Sequence, residues 1–233
     1  MMSLNDRPHC LNERPGLFVN AADHIPDLVI RMAYAGSDNF VGTPIAGYRS
    51  ATLWLTRPAV DALAHAQGQL RAYGLTLCVF DGYRPVRAVQ HFLRWAEMPC
   101  DDVRRARFYP RIDKQDLFQR GYLARQSSHS RGSTVDLTLA CGASHTELDM
   151  GTAFDVFDVR SHTQAGAEVG ITTQQRANRL LLGAVMAAAG FDNFPMEWWH
   201  FTLRDEPFRA CYFDFPIDAA AITAPSNSRL ARC

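Results

Sequence analysis

The sequence predicts an α+β fold: one domain with a central antiparallel sheet flanked by helices. Three observations point there. Apolar residues recur at helical spacing in three separate segments. Short β-favouring segments lie among them. The two kinds are interspersed without the regular strand–helix–strand rhythm that a parallel sheet requires. A chain of 233 residues suits one such domain, expected over residues 1–217 with a flexible tail at 218–233.

The elements follow in order. A helix is expected over 58–73, with Pro58 suited to its opening turn, Gly74 to its stop, and Val60, Leu63, Ala64 and Leu70 as an apolar stripe. Residues 75–80 are apolar and end in Asp81-Gly82, which reads as a strand followed by a turn. A second helix begins near Pro85 and repeats Val86, Val89, Leu93 and Ala96 until Pro99 forbids continuation. Residues 134–139 alternate strictly, with Val135, Leu137 and Leu139 on one side and Thr134, Asp136 and Thr138 on the other. Thr172 and Gln175 form a capping box that opens a third helix, whose stripe would be Ala177, Leu180, Leu181, Ala184, Val185 and Ala188. The aromatic run 198–203 reads as a strand with Trp198, His200 and Thr202 on one face. The Ala- and Ser-rich end reads as a loosely attached tail, with a short docking helix at 219–222 as the alternative.

Composition excludes several classes. Twenty-four Lys and Arg balance 24 Asp and Glu, so no cationic surplus points to nucleic acid. With 47% hydrophobic and 21% charged residues, wholesale disorder is excluded. The longest apolar stretch, 180–191, falls short of the ~20 residues a membrane span needs, and residues 1–20 show no secretory signal. Cys10, Cys78, Cys100, Cys141, Cys211 and Cys233 contain no CxxC pair. Their scatter reads as free thiols, so the expected compartment is the cytoplasm.

Three polar positions carry the candidate chemistry. His129 lies in the polar loop Ser127-Ser128-His129-Ser130-Arg131-Gly132, and Asp136 on the polar face of the strand that follows. If strand 198–203 lies beside it, His200 reaches the same point. Two imidazoles and a carboxylate are a common ligand set for catalytic zinc, with one position left open. Glu197 would fall on the opposite face from His200 in a continuous strand, but Pro195 makes the strand's start irregular and allows a bend toward the same pocket. A carboxylate there can act as general base. Arg84, at a strand-to-helix junction, can stabilise an oxyanion. No HExxH helix is present, which excludes the common helical zinc-peptidase motif. Each residue also has an ordinary reading: His200 as a structural histidine, Asp136 as a solvated strand residue, Arg84 as a surface ion-pair partner, Glu197 as a rim charge. Spacing alone leaves both open.

The local sequences go further. Ser127-Ser128-His129-Ser130-Arg131-Gly132-Ser133-Thr134-Val135-Asp136 resembles the SxHxxGxxxD zinc segment of the VanX-type D-alanyl-D-alanine dipeptidases. Glu197-Trp198-Trp199-His200 is similar to their second segment and Asp81-Gly82-Tyr83-Arg84-Pro85 to their arginine segment. Further matches are Ser37-Asp38-Asn39-Phe40, Asp149-Met150-Gly151 with Phe154-Asp155, Arg204-Asp205-Glu206-Pro207 and Tyr212-Phe213-Asp214-Phe215-Pro216, all in the family's order. The resemblance implies one Zn2+ per chain held by His129, Asp136 and His200 in a cleft on the sheet. It implies that Glu197 takes a proton from the attacking water and returns it to the leaving amine, while Arg84 steadies the tetrahedral intermediate. Asp155, with Tyr34, would bind the ammonium of a small dipeptide substrate, and Ser127 would meet its carboxylate. The activity implied is hydrolysis of D-Ala-D-Ala, serving either depletion of a cell-wall precursor or its recycling. The alternatives are a zinc D,D-carboxypeptidase acting on longer wall peptides and a non-catalytic zinc-stabilised binding module. The presence of both Glu197 and Arg84 argues against the latter. One position departs from the pattern: Thr134 stands where the family usually has Ala, and its hydroxyl would crowd the strand or bond a neighbour.

Overall fold

This computed structural model describes residues 10–219. In chain order the elements are β1 (Cys10–Leu11), β2 (Phe18–Asn20), β3 (Val29–Ile30), β4 (Trp54–Thr56), α1 (Arg57–Arg71), β5 (Leu75–Asp81), α2 (Val86–Glu97), α3 (Asp102–Phe108), β6 (Thr134–Cys141), α4 (Thr173–Ala188), β7 (Phe191–Asn193), β8 (His200–Leu203) and β9 (Tyr212–Phe213). Five strands form the main sheet in the order β3-β5-β6-β8-β7. Its β5–β6, β6–β8 and β8–β7 pairs are antiparallel, as expected for an α+β fold, and only the edge pair β3–β5 is parallel. β3 is two residues long and carries no period for sequence reasoning to detect.

The expected helices form, with two corrections in what they bury. α1 starts at Arg57 with Pro58 in its first turn and buries Ala59, Val60, Leu63, Ala66, Gln67 and Leu70. α2 follows Pro85 and buries Ala88, Val89, Phe92, Trp95 and Ala96, so the aromatic rings take the inward positions while Leu93 is half-buried. α4 has both halves of its capping box, but of the stripe expected to be its core face only Val185 is buried. Leu180 and Leu181 are 64% and 38% exposed, while Asn178, Arg179, Leu182, Val185 and Met186 turn inward. The cause is the 149–162 loop, whose carbonyls need donors: Arg179 bonds the oxygens of Met150, His162 and Arg160 at 2.7, 2.9 and 2.8 Å, and Asn178 bonds that of Asp149 at 2.8 Å. Unmet buried carbonyls cost more than two exposed leucines. α3, which apolar periodicity did not predict, is capped by the Asp101 side chain, which accepts from Val103 N and Arg104 N.

β6 is buried on both faces from Thr134 to Ala140. The face carrying Thr134, Asp136 and Thr138 is therefore not solvated; Phe154, stacked on Phe80 with centroids 4.8 Å apart, helps cover that side. Thr134 bonds a neighbour: its hydroxyl lies 3.0 Å from that of Thr202, its partner in the β6–β8 ladder.

Among the cysteines, Cys78, Cys100 and Cys141 are free thiols, but Cys211 is disulfide-bonded, which corrects the reading of all six as free. A disulfide joins residues by proximity in space, which spacing along the chain does not reveal, and the argument from thiols to the cytoplasm is weakened accordingly. At the C-terminal end Trp54 Nε1 bonds the Asp218 carbonyl at 3.2 Å. The tail beyond Ala219, and with it the alternative of a short helix at 219–222, lies outside the described residues. Among the described residues no helix is long and apolar enough to cross a membrane.

Candidate metal centre

The centre is built where three neighbouring strands meet two turns. Antiparallel register sets Asp136 of β6 opposite His200 of β8 and, after a shift between Val79 and Asp81, opposite Asp81 of β5. Opposed residues in an antiparallel pair hold their side chains about 5 Å apart, so one row supplies an aspartate, an imidazole and a second aspartate. His129 enters from a 3-10 turn, Ser128–Arg131, capped by the Ser127 side chain, which accepts from His129 N at 3.3 Å. The turn ends at Gly132, where φ is +85° and an added Cβ would lie 2.2 Å from the Phe18 ring, so no other residue fits there. Arg84 N donates to the His129 carbonyl at 3.3 Å, which ties the arginine turn to the histidine turn.

The ligand atoms converge. His129 Nε2 lies 3.2 Å from Asp136 Oδ2, His200 Nδ1 lies 3.1 Å from Asp136 Oδ1, and the two ring nitrogens are 3.2 Å apart. The Gly82 carbonyl fixes the His129 tautomer: Nδ1 donates to it at 2.7 Å, so the neutral ring points its Nε2 lone pair inward. His200 Nε2 sits 3.3 Å from Ser128 Oγ, a hydroxyl able to accept its proton and so leave Nδ1 free for a metal. Asp136 is 2% exposed and its Oδ1 is buried without a hydrogen bond. Two nitrogen lone pairs and an orphaned carboxylate oxygen repel one another unless a cation lies between them, and this N,N,O set suits zinc.

Charge balance gives the same result. Among the described residues, Asp81, Asp136, Asp155 and Glu197 share one guanidinium, that of Arg84. Burial pushes the carboxyls of Asp81, Asp155 and Glu197 up, and the neighbouring Asp136 charge adds to it in each case. Burial also pulls His200 down, favouring the neutral ring that a metal needs.

The structure also places the remaining expected residues. β8 begins only at His200, and Glu197 lies in the turn before it, with Oε2 3.5 Å from His200 Nδ1, on the same side as the ligands. Arg84 donates from Nε to Asp81 at 2.9 Å and from Nη2 to Asp136 at 3.2 Å, with its guanidinium 5.1 Å from the Tyr34 ring centre. Tyr34 donates to Asp155, whose two oxygens lie 3.1 and 2.9 Å away, and Asp155 holds a φ of +61° that few aspartates adopt. Sequence reasoning missed three contributors: Gly82, whose carbonyl orients His129, Ser128 behind His200, and Asp81 behind Arg84. Asp81-Gly82 had the signature of a turn, which concealed the carboxylate's second role.

The peptidase M15 family model, described as D-ala-D-ala dipeptidase, matches residues 16–218. The chain belongs to this family. Three relatives named D-alanyl-D-alanine dipeptidase are similar over 184 residues, 79% of this chain and 90% of theirs: that of Streptomyces coelicolor at 44% identity, of Enterococcus faecalis at 43% and of Enterococcus faecium at 41%. Among solved structures, a zinc complex of a mutant vancomycin resistance D,D-pentapeptidase VanY aligns with 65% of this chain and 73% of its own, at TM-score 0.34 and 16% identity, too remote to bear on the site. The family match spans all eight residues singled out above, from Tyr34 to His200.

Proposed function

We propose that the chain hydrolyses D-Ala-D-Ala to two D-alanines with one zinc ion held by His129, Asp136 and His200. The observation that carries this reading is the convergence of His129, Asp136 and His200, with one Asp136 oxygen lacking a hydrogen bond, beside a half-buried glutamate in a chain of the D-ala-D-ala dipeptidase family. Zinc bound there would polarise the scissile carbonyl and bring the pKa of water to roughly 7.

The chain's residues do the rest. Glu197, next to His200, takes the proton of the attacking water and delivers it to the leaving amine. Arg84 meets the negative charge that develops on the carbonyl oxygen, since its bond to Asp136 holds the guanidinium at the edge of the centre. Asp155, with Tyr34 bonded to it, offers a buried carboxylate to the substrate ammonium. Ser127 holds the histidine turn with its oxygen, which accepts from His129 N, and its hydroxyl would donate to the substrate carboxylate. Reading both termini of a small peptide selects a dipeptide over longer chains. In the cell this would deplete or recycle a wall precursor, with the cytoplasm as the place where free dipeptide occurs.

Purified chain offered D-Ala-D-Ala and a pentapeptide ending in it tests the reading. Alanine should be released from the dipeptide alone, stop with a chelator and return with zinc. Release from the pentapeptide alone would make the chain a D,D-carboxypeptidase instead.

A further inference from the structure

Asp81 does not touch the ligand atoms, yet it is fully buried at the end of β5, and both its oxygens are in use. Oδ1 accepts from the Tyr48 hydroxyl at 2.7 Å, and Oδ2 accepts from Arg84 Nε at 2.9 Å. His129 Nδ1 comes within 3.6 Å of Oδ2, but its proton goes to the Gly82 carbonyl at 2.7 Å. Tyr48 is itself 5% exposed and packs edge-on against Tyr34 at 5.6 Å. Three groups thus act on the guanidinium from behind and from the side: Asp81 at Nε, the Tyr34 ring at 5.1 Å and the Phe92 ring at 5.4 Å.

We propose that Tyr48 and Asp81 form a positioning pair that sets the angle of Arg84 for the tetrahedral intermediate, an inference that rests on the oxyanion role given to Arg84 above. A guanidinium on a flexible stem, surrounded by Asp136, Asp155 and Glu197, would otherwise collapse onto whichever carboxylate lay nearest. Fixing Nε leaves the opposite edge of the fork directed at the centre. Nη2 reaches Asp136 from that edge, and Nη1 makes no hydrogen bond among the described residues. A donor aimed in advance at developing charge assists the transition state more than the bound substrate. The pair's contribution should therefore appear in kcat. A buried carboxylate is costly to keep, and packing alone would be met as well by an apolar side chain. Both of this one's bonds lie on the path to Arg84.

The test compares D81N, Y48F, R84A and D81N/R84A as zinc-loaded enzymes, with a second readout on metal-free protein. D81N should lower kcat by about 10- to 100-fold with KM for D-Ala-D-Ala within about twofold and zinc content unchanged, and Y48F, which keeps the carboxylate, should lower kcat by about three- to tenfold. In the R84A background D81N should change kcat by less than about twofold, because the group it positions is gone. In metal-free protein the Arg84 Nε–H resonance should be protected from exchange in the wild type and lose that protection in D81N. The proposal is overturned if D81N lowers kcat by the same factor with and without Arg84, if zinc is lost in step with activity, or if D81N leaves kcat unchanged. Should D81N fail to fold, Y48F decides, and wild-type kcat in Y48F overturns the pair. Wild-type kcat in R84A would instead remove the oxyanion role itself, a distinct failure.

Discussion

At the start of β5, Thr76 joins Asp27, Gln67 and Arg71; at its end, Asp81 joins Tyr48, Arg84 and, across the sheet, His129 and Asp136. Both clusters are Asp–Arg networks on one strand, but they are completed differently. Asp27 accepts from Arg71 Nε and Nη2 at 2.7 and 2.6 Å and from Gln67 at 2.8 Å, and its pair with Arg71 is about half exposed. Gln67, fully buried, is itself satisfied by Thr76 and Leu77 N. No buried side-chain nitrogen or oxygen of that cluster lacks a hydrogen bond. At the other end Asp136 Oδ1 has no hydrogen bond, with His200 Nδ1 3.1 Å from it and His129 Nε2 3.2 Å from the neighbouring Oδ2. A self-satisfied polar cluster reads as structure. One that is buried and incomplete reads as a site awaiting a cation.

Breaking the incomplete end should have the largest effect. Asp136→Asn removes the anionic ligand, and zinc binding, measured by metal analysis after gel filtration, should be lost together with hydrolysis. Glu197→Ala should keep its zinc while hydrolysis falls on the order of 10²-fold or more in a steady-state assay. Undiminished activity there would mean that another group is the base. At the satisfied end, Arg71→Ala should leave kcat and zinc content unchanged and barely move the urea unfolding midpoint, because the pair is solvent-screened.

The smallest effect concerns pH. Arg71, by hydrogen bond, holds the Asp27 carboxyl well below the usual range; burial opposes it, and a hydrogen bond from Gln67 adds to the lowering. A carboxyl lowered in the folded state stabilises it above its unfolded value, about pH 3.9, and that stability is lost as pH falls below this. Asp27→Asn should therefore flatten the acid limb of the unfolding midpoint between about pH 4 and pH 2, and leave the limb above pH 5 unaltered.

What the sequence showed and concealed follows the same division. The strict alternation of 134–139 and the aromatic run before Leu203 gave β6 and β8 their places, and with them the meeting of Asp136 and His200. Pro195 correctly flagged an irregular approach, because β8 begins only after Glu197. The inward face of α4 was not legible from its own residues. Arg179 is turned inward by carbonyls of a loop distant in sequence, a demand that overrides the apolar stripe. Asp81 was hidden for a related reason: its partners Tyr48 and Arg84 come together only through tertiary contact, whereas Asp-Gly alone is a turn signal. Cys211 likewise owes its state to a partner in space.

The most direct measurement of the central claim is zinc K-edge X-ray absorption on the purified chain loaded with zinc, alongside His129→Ala and His200→Ala. The account predicts one zinc per chain in a shell of two imidazole nitrogens with oxygens completing it, and loss of that shell in either variant. A shell containing sulfur, or an unaltered shell in the variants, would place the ion elsewhere and contradict the account.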